Sequence, residues 1–162
     1  MKVRIKLAGE EHIPGVVEVW KDFMDFHQAK DPFFTRRKGA DKEFSNYFRE
    51  VISADDTHAL VALIKEKVIG FSISAVKNHP PVFTETKYGE IIDLAIHDDY
   101  RRKGIGEEML KIIFEWFDAH DARRIELRVA AKNMIGYSFW EKHGFVEYLH
   151  VLYLERDKSI PA

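Results

Sequence analysis

The sequence predicts a mixed α/β fold, in which helices flank a central sheet of parallel and antiparallel strands. Short segments alternate apolar and polar residues at a period of two, as in Val3–Leu7. Longer segments repeat apolar residues at intervals of three and four, which is typical of amphipathic helices. A strand–helix–strand passage over residues 88–129 is long enough for a right-handed crossover, so its two strands should run parallel.

Composition limits the class of protein. The 162 residues are 46% hydrophobic and 32% charged, which predicts one globular domain over residues 1–162. A net charge of -2 argues against nucleic acid as a partner, and the absence of cysteine excludes disulfides and a cysteine nucleophile. No apolar signal core or run of roughly 18 apolar residues is present, which predicts a cytoplasmic protein with no membrane partner. The eight histidines show no ligand spacing, so no metal site is expected.

The first half of the chain predicts a strand, two helices and a three-strand antiparallel meander. Residues 13–26 have helical spacing, with Pro14 in the first turn, where proline is tolerated. An aromatic loop at 31–35 precedes a second amphipathic helix at 41–52. Apolar runs at 58–64, 68–76 and 88–97 predict the meander, with a hairpin turn at 65–67 and a break at Pro80-Pro81. Gly70 indicates a bulge or a close approach of another backbone.

The second half predicts two further helices and two further strands. An amphipathic helix runs from Ile105 to about residue 120, and residues 124–129 alternate as the parallel strand. Residues 133–143 predict the last helix, which Gly144 ends as a C-terminal glycine cap. Residues 145–154 predict a final strand, and residues 157–162 predict a loose tail.

A basic glycine turn joins the buried strand at 88–97 to the helix that follows. It consists of Arg101-Arg102-Lys103-Gly104-Ile105-Gly106. Glycines let backbone N–H groups approach a ligand, and the helix start presents free N–H groups and the positive end of its dipole. This combination predicts a phosphate site, with a solvated connection as the alternative. The turn is neither a P-loop, because it lacks a Gly-Lys-Ser/Thr pair, nor a dinucleotide-binding turn, because Met109 occupies the third small position.

Two motifs resemble the GNAT superfamily of N-acyltransferases. The basic turn matches that family's coenzyme A signature, Gln/Arg-x-x-Gly-x-Gly/Ala after a strand. Residues 133–145 resemble the next signature, in which an asparagine opens a helix, a small residue follows and an aromatic pair precedes Gly-Phe. The matching residues are Asn133, Gly136, Phe139, Gly144 and Phe145. With the order of elements, the resemblance covers nearly the whole chain. It implies a GNAT-like fold with two parallel strands splayed at the cofactor site, and acetyl-CoA-dependent N-acetyltransferase activity.

The resemblance also assigns residues to acetyl-CoA, the implied co-substrate. The turn would hold the pyrophosphate through its N–H groups and cations, and the pantetheine arm would hydrogen-bond the carboxyl end of the central strand. Asn133 would bond the pantetheine or position its helix, with a plain N-cap as the alternative. The predicted cofactor-binding residues are Leu94, Ala95, Ile96, Arg101, Arg102, Lys103, Gly104, Ile105, Gly106, Asn133 and Trp140.

Chemistry on an amine acceptor requires a base. Deprotonating a lysine-type amine of pKa about 10.4 at pH 7 costs roughly 4–5 kcal/mol. Glu90 occupies the place of the general-base glutamate in the histone-acetylating branch, and Asp93, on the opposite strand face by parity, is the other candidate. A backbone N–H near Leu94 would stabilise the oxyanion. Many relatives have a tyrosine acid where this chain has Trp140; Tyr137 is the alternative, or the thiolate leaves with help from water.

Three interpretations stay open on sequence alone. The first is acetyl transfer from acetyl-CoA to a primary amine by direct attack in a ternary complex. The second is a non-catalytic coenzyme A-binding regulatory domain, and the third uses a hydroxyl acceptor or a longer acyl chain. The family builds its acceptor wall from the equivalent of residues 13–52. An aromatic-lined cavity is suggested by Phe33, Phe34 and Tyr47, and a cationic acceptor by the acidic Glu85, Glu90 and Asp93. Polyamine-like molecules, aminoglycosides, amino acids and peptide amines stay open as acceptors. Relatives commonly dimerise, so the resemblance also allows a homodimer.

Overall fold

A computed structural model describes residues 1–157 of the chain. In this part, five strands are present: β1 (Val3–Leu7), β2 (Thr57–Ile64), β3 (Lys67–Asn78), β4 (Lys87–Ile96) and β5 (Ile125–Leu127). The α-helices are α1 (Ile13–Gln28), α2 (Ala40–Ser53), α3 (Ile105–Ala119) and α4 (Met134–Lys142). Short 3-10 turns lie at Glu10–His12, Pro32–Phe34 and Asp98–Tyr100. No helix among the described residues is long and apolar enough to cross a membrane.

The strands form one mixed sheet in the order β1-β2-β3-β4-β5. Strands β1 to β4 pair antiparallel with their neighbours, whereas β4 and β5 pair parallel across the α3 crossover. The predicted meander and the predicted parallel pair are therefore confirmed. The irregularity predicted at Gly70 is also present, because Ala62 faces Gly70 while Leu63 faces Val68, which leaves Ile69 as the extra residue.

The two parallel strands are joined along only three residues. Gly89, Glu90 and Ile91 of β4 face residues 125–127 of β5, and β4 continues to Ile96 without a parallel partner among residues 1–157. Strand β5 is thus shorter than the predicted 124–129. The two strands separate beyond this point, and the opening positions the site.

Helices cover the sheet on both faces. The α1 and α2 helices pack on one face around Phe48 and Phe71, and α3 packs on the other through Met109, Ile113 and Phe117. Gly89 allows a close approach of α3 to the sheet, because a Cβ atom at that position would lie 2.5 Å from the Phe117 ring. Glycine is therefore required where α3 lies on the joined part of β4 and β5.

The prediction of a final strand over residues 145–154 is wrong for this chain. Within residues 1–157, residues 146–156 make no backbone-to-backbone hydrogen bond. Phe145 packs inward against Phe114 and Trp140, but the apolar side chains that follow are 60–88% exposed: Val146, Tyr148, Leu149, Val151, Leu152, Tyr153 and Leu154. The alternating pattern favours an extended segment, but a β-strand forms only when its backbone hydrogen-bonds a neighbouring strand, and this segment makes no such bond within residues 1–157. The predicted tail beyond residue 157 lies outside the described residues.

Candidate active site

A cleft of about 1180 Å³ opens where β4 and β5 separate. One wall is β4 from Ile91 to Ile96, and the other runs from Leu127 to Ala130 and onto the first turns of α4. The basic turn closes one end, and α1 borders the cleft through Phe23, Phe26 and His27. Because typical small-molecule sites reach about 1,000 Å³, this cleft has room for a long ligand.

The basic turn is shaped to bind an anion. Arg102 and Gly104 are both left-handed, with φ of 59° and 79°, and Gly104 is the N-cap of α3. The backbone N–H groups of residues 102–106 donate to no backbone acceptor in the described part of the chain. A turn of this kind directs successive N–H groups into one concavity, where the helix dipole adds positive potential. The residues present therefore fit a pyrophosphate.

The three cations of the turn differ in their surroundings. The Arg101 Nε donates to the Ile96 carbonyl at 2.9 Å, its Nη1 pairs with Asp98 at 2.8 Å and its guanidinium lies 5.0 Å from the Phe26 ring centroid. Arg101 thus fastens the turn to the end of β4. Arg102 lines the cleft, whereas Lys103 is not among the lining residues and its ammonium lies 5.7 Å from the Tyr100 ring centroid.

Lys142 is a cation at the cleft that the sequence analysis did not assign. It lines the cleft from the last turn of α4 and pairs with Glu107 in the first turn of α3. Its hydrogen bond and charge hold the pKa of Glu107 below the usual range. The signal in the sequence is helical spacing, because residues 135, 138 and 142 share a side of α4.

The backbone of β4 presents alternate residues to the cleft. The His97 N–H donates to the Ile69 carbonyl of β3 at 2.8 Å, so His97 faces β3. Alternation along the strand then directs the N–H groups of Leu94 and Ile96 toward the cleft and those of Ala95 toward β3. The Arg101 contact with the Ile96 carbonyl agrees with this direction. Leu94 and Ile96, rather than Ala95, can therefore offer backbone donors to a bound ligand.

A bulge in β4 changes which side chains share a face. Ile73 of β3 faces Asp93 and Ser74 faces Ile91, which leaves Ile92 as the extra residue. Such a residue shifts the alternation by one position, so the parity that placed Glu90 and Asp93 on opposite faces does not hold. Burial raises the pKa of Tyr47 on α2, and the charges of Asp93 and then Glu90 raise it further. Both carboxyl groups therefore lie on the α2 side of the sheet.

The two candidate bases differ in exposure to the cleft. Asp93 lines the cleft, and burial raises the pKa of its carboxyl from 3.8 to about 6. Glu90 is not a lining residue, and its carboxylate pairs with Lys77 at 2.9 Å. A carboxyl group that titrates near neutral pH is suited to exchange protons with a reacting group. Of the two, only Asp93 combines that property with a place on the cleft wall.

Asn133 joins α4 to α1 at the cleft wall. Its Oδ1 accepts from the Gly136 N–H at 3.0 Å, which caps the helix, and its Nδ2 lies 3.4 Å from the His27 Nε2. The His27 Nδ1 bonds the Phe23 carbonyl at 2.8 Å, which places the proton on Nδ1 and leaves Nε2 as an acceptor for Asn133. The N-cap role is therefore present, and His27 of α1 is a second partner of the Asn133 side chain.

The aromatic residues of α4 lie on different sides of the helix. Ser138, Phe139 and Trp140 line the cleft, but Tyr137 does not. The negative charge of Glu147, then burial and Glu141, raise the pKa of Tyr137 on another side of the helix. The structure thus does not bring Tyr137 to the other predicted site residues.

A sheet that opens between two parallel strands, with an anion-binding turn at the next helix start, defines the acyl-CoA N-acyltransferase class. Residues 18–145 match the model of the Acetyltransferase (GNAT) family, and the chain belongs to this family. Over 131 aligned residues the chain is 25% identical to an uncharacterized N-acetyltransferase of Archaeoglobus fulgidus. The alignment covers 81% of this chain and 84% of the relative. The protein is an acetyl-CoA-dependent N-acetyltransferase.

Solved structures show the same fold. A tetramutant of the BH1408 protein from Bacillus halodurans superposes with a TM-score of 0.85 at 20% identity, over 94% of this chain and 99% of that one. A predicted acetyltransferase from Clostridium acetobutylicum, solved with acetyl-CoA, superposes with a TM-score of 0.77 at 20% identity. The superposition covers 95% of this chain and 96% of that one. Among residues 1–157, no group of three or more histidine, aspartate or glutamate side chains is arranged to hold a metal ion.

Proposed function

We propose that residues 1–162 act as one N-acetyltransferase domain that acetylates a primary amine of a small molecule or peptide within a ternary complex. The observation that carries the mechanism is the Asp93 carboxyl on the cleft wall, where burial raises its pKa to about 6. Family membership supports acetyl transfer to an amine acceptor.

Acetyl-CoA, when bound, supplies an acetyl group activated as a thioester. The N–H groups of residues 102–106 would hold its pyrophosphate, and Arg102 and Lys142, which also line the cleft, would add positive charge. The N–H groups of Leu94 and Ile96, on the part of β4 that is not paired with β5, would hydrogen-bond the pantetheine arm. Asn133, held by Gly136 and His27, fixes the opposite wall.

Asp93 accepts the proton that the incoming ammonium must lose. A base with a pKa of about 6 is ionised at pH 7 and still close enough to neutrality for efficient transfer. Asp93 lies at the bulge next to Leu94 in β4, and the Leu94 N–H would stabilise the negative charge that develops on the carbonyl oxygen. The leaving thiolate needs no dedicated acid near neutral pH.

The α2 side of β4 favours a cationic acceptor. The charges of Asp93 and Glu90 both act on Tyr47, and Lys77 neutralises part of that charge through Glu90. Phe34 packs on His27 at 5.3 Å between ring centroids, and Phe33 is 82% exposed beside it. These acidic and aromatic side chains favour an acceptor amine that carries a positive charge close to apolar or aromatic groups.

The test is a turnover assay with a panel of a polyamine, an aminoglycoside, a free amino acid and a peptide with an accessible amine. Free coenzyme A thiol is measured with a thiol reagent, and the chain adds no background because it contains no cysteine. Mass spectrometry identifies the acetylated nitrogen. We expect amine-dependent thiol release with at least one cationic class. Cofactor binding without thiol release on any amine contradicts the proposed function.

A further inference from the structure

Arg128 is a cation on the cleft wall to which the proposed mechanism gives no role. It follows Leu127, the last residue of β5, and its exposed side chain lines the cleft. Within residues 1–157 this side chain makes no hydrogen bond or ion pair, although Glu126 lies only two positions away. A guanidinium is a planar fork of donors that matches the two oxygens of a carboxylate or phosphate. An unpaired arginine on the wall of a cleft therefore indicates an anionic group on the ligand.

Arg128 faces the same side of the sheet as Asp93. Ile125 and Leu127 of β5 pack against the core under α3, so alternation along the strand directs Glu126 to the α2 side. One step beyond Leu127, Arg128 points the same way as Glu126. The β4 bulge places Asp93 on the α2 side as well. Asp93 and Arg128 thus border this side of the opening from its two walls.

The two residues lie apart from the other charged side chains of the cleft. Within residues 1–157, the other Asp, Glu, Lys and Arg side chains that line it lie at the basic turn or at the adjoining ends of α3 and α4: Asp98, Arg101, Arg102, Glu107 and Lys142. Leu127 pairs with Ile91, and β4 reaches the turn only after Ile96, roughly 15 Å further along an extended strand. A pyrophosphate at the turn therefore lies beyond the reach of Arg128.

The two carboxylates on the joined part of β4 and β5 already have partners. Lys77 pairs with Glu90 at 2.9 Å, and Arg124 pairs with Glu126 at 2.8 Å. The acid and the base on the cleft walls remain, within residues 1–157, as one negative and one positive group without an ion-pair partner. A ligand that carries both an ammonium and a carboxylate neutralises the two groups together. A polyamine would instead bring positive charge close to Arg128.

We propose that Arg128 binds the carboxylate of an amino-acid acceptor whose amine lies against Asp93. The acceptor is then a free amino acid, with its carboxylate a few bonds from the reacting nitrogen. Its amine attacks the thioester carbonyl, so that a C–N bond forms and the C–S bond breaks. The thiolate leaves with the electron pair, and Asp93 takes the proton that the amine loses. This role for Arg128 rests on the acetyl transfer proposed above and narrows its acceptor to one class.

The first test compares acceptors that differ only in the carboxylate. Thiol release from acetyl-CoA is measured across the common amino acids, and the best of them is then compared with its amide and with the decarboxylated amine. We expect kcat/KM for the amino acid to exceed both by about 10- to 100-fold, through the charge-assisted contact with the guanidinium. Equal values for the acid and the amide overturn the proposal while leaving acetyl transfer to an amine intact.

The second test removes the guanidinium. Arg128→Gln should abolish the preference for the carboxylate, and differences in amine basicity cancel because the same acceptors are compared in each protein. Arg123→Gln is the matched control and should keep the preference, because Arg123 is also exposed and unpaired within residues 1–157 but does not line the cleft. A preference that survives in Arg128→Gln overturns the proposal.

Coenzyme A binding separates the two sources of an anion. Arg128→Gln should leave the dissociation constant of coenzyme A within about twofold of the parent value, since only screened charge links Arg128 to the phosphates. A loss of about tenfold or more would mean that Arg128 contacts a phosphate of the cofactor, which overturns the proposal.

Acceptor binding tests the site even if no amine is acetylated. Calorimetry with the protein saturated with coenzyme A measures the affinity for the same amino acids and their amides without any chemical step. Amino-acid binding that Arg128→Gln weakens by about tenfold supports the carboxylate site, whatever the outcome for acetyl transfer. Binding of no amino acid, or equal binding of acid and amide, overturns it.

Discussion

Glu90 and Asp93 lie on the same side of β4, although they are three positions apart in a strand. Ile92 is the extra residue that makes this arrangement, because it has no partner in β3 while its neighbours do. Bulges of this kind redirect side chains next to functional sites. Here the bulge places Asp93 on the cleft wall, with Glu90 in an ion pair behind it.

Replacing Asp93 should remove the pH dependence of turnover. In the parent protein, kcat/KM should rise with pH through about 6, as the Asp93 carboxyl ionises. Asp93→Asn should lower kcat by about 100-fold or more, the usual contribution of general base catalysis. The measurement is kcat/KM across pH 5 to 8.5. Glu90→Gln is the matched control, and an equal loss in both variants would contradict the assignment of the base to Asp93.

The same substitution should stabilise the fold. The Asp93 pKa is higher in the folded protein than in the unfolded chain, so ionisation disfavours the folded state as pH rises from about 4 to 6. Asp93→Asn should therefore gain about 2 to 3 kcal/mol of unfolding free energy at pH 8 and nothing near pH 4. Urea unfolding at the two pH values measures the difference. A gain that is equal at both pH values would point to a cause other than this carboxyl.

Gly104 and Gly39 provide a matched pair for the phosphate site. Both are left-handed, with φ of 79° and 83°, and a Cβ atom would meet nothing within 4 Å at either one. Each alanine variant should lose about 1 to 2 kcal/mol of stability from backbone strain. Only Gly104→Ala should also weaken coenzyme A binding, measured by calorimetry, because Gly39 starts α2 away from the cleft. Equal affinities for the two variants would remove the turn from the pyrophosphate site.

Arg102 and Lys103 should contribute unequally to cofactor affinity. Arg102→Ala should weaken coenzyme A binding by about tenfold, the loss of one charge-assisted contact. Lys103→Ala should change it by about twofold or less, since the side chain does not line the cleft and acts only through screened charge. Dissociation constants at two salt concentrations test both values. The reverse order would mean that Lys103 turns inward when the ligand binds.

His58 should make the protein sensitive to acid. Burial, with the nearby charge of His120, lowers the pKa of His58 from 6.5 to about 4. The unfolded chain then binds a proton that the folded protein does not, so stability falls as pH drops from about 6.5 to 4, by about 2 to 3 kcal/mol. His58→Phe keeps the ring that stacks on Trp116 but cannot titrate. The variant should lose less stability over this range, and parallel curves would contradict the prediction.

Local patterns in the sequence were sufficient for most elements of the fold. Periodicity and caps located the four helices and the strands of the sheet, because each depends on residues near in the chain. The β4 bulge was not predicted, since alternation alone cannot show where a strand gains an extra residue. The strand predicted at 145–154 failed for a related reason: its pairing depends on an edge that the segment's own residues do not encode.

The parts of the site that depend on local backbone conformation could be predicted from sequence motifs. The parts that depend on which way a side chain points could not. The glycine positions of the basic turn and the Asn133 cap are local features. Tyr137, the alternative acid, lies three residues before Trp140, which is about 300° of rotation around a helix, so the two side chains need not share a side. In the structure Trp140 lines the cleft, whereas Tyr137 lies near Glu141 and Glu147.

The contact of Gly89 with Phe117 has a consequence at the far end of α3. Phe117 lies in the last turn of that helix, and the anion-binding turn lies before its first residue. Because a helix moves as a rigid unit, an added methyl group at position 89 would displace Phe117 and shift the N-terminus of α3 as well. Gly89→Ala should therefore weaken binding of the diphosphate, although no residue at the anion-binding turn is changed.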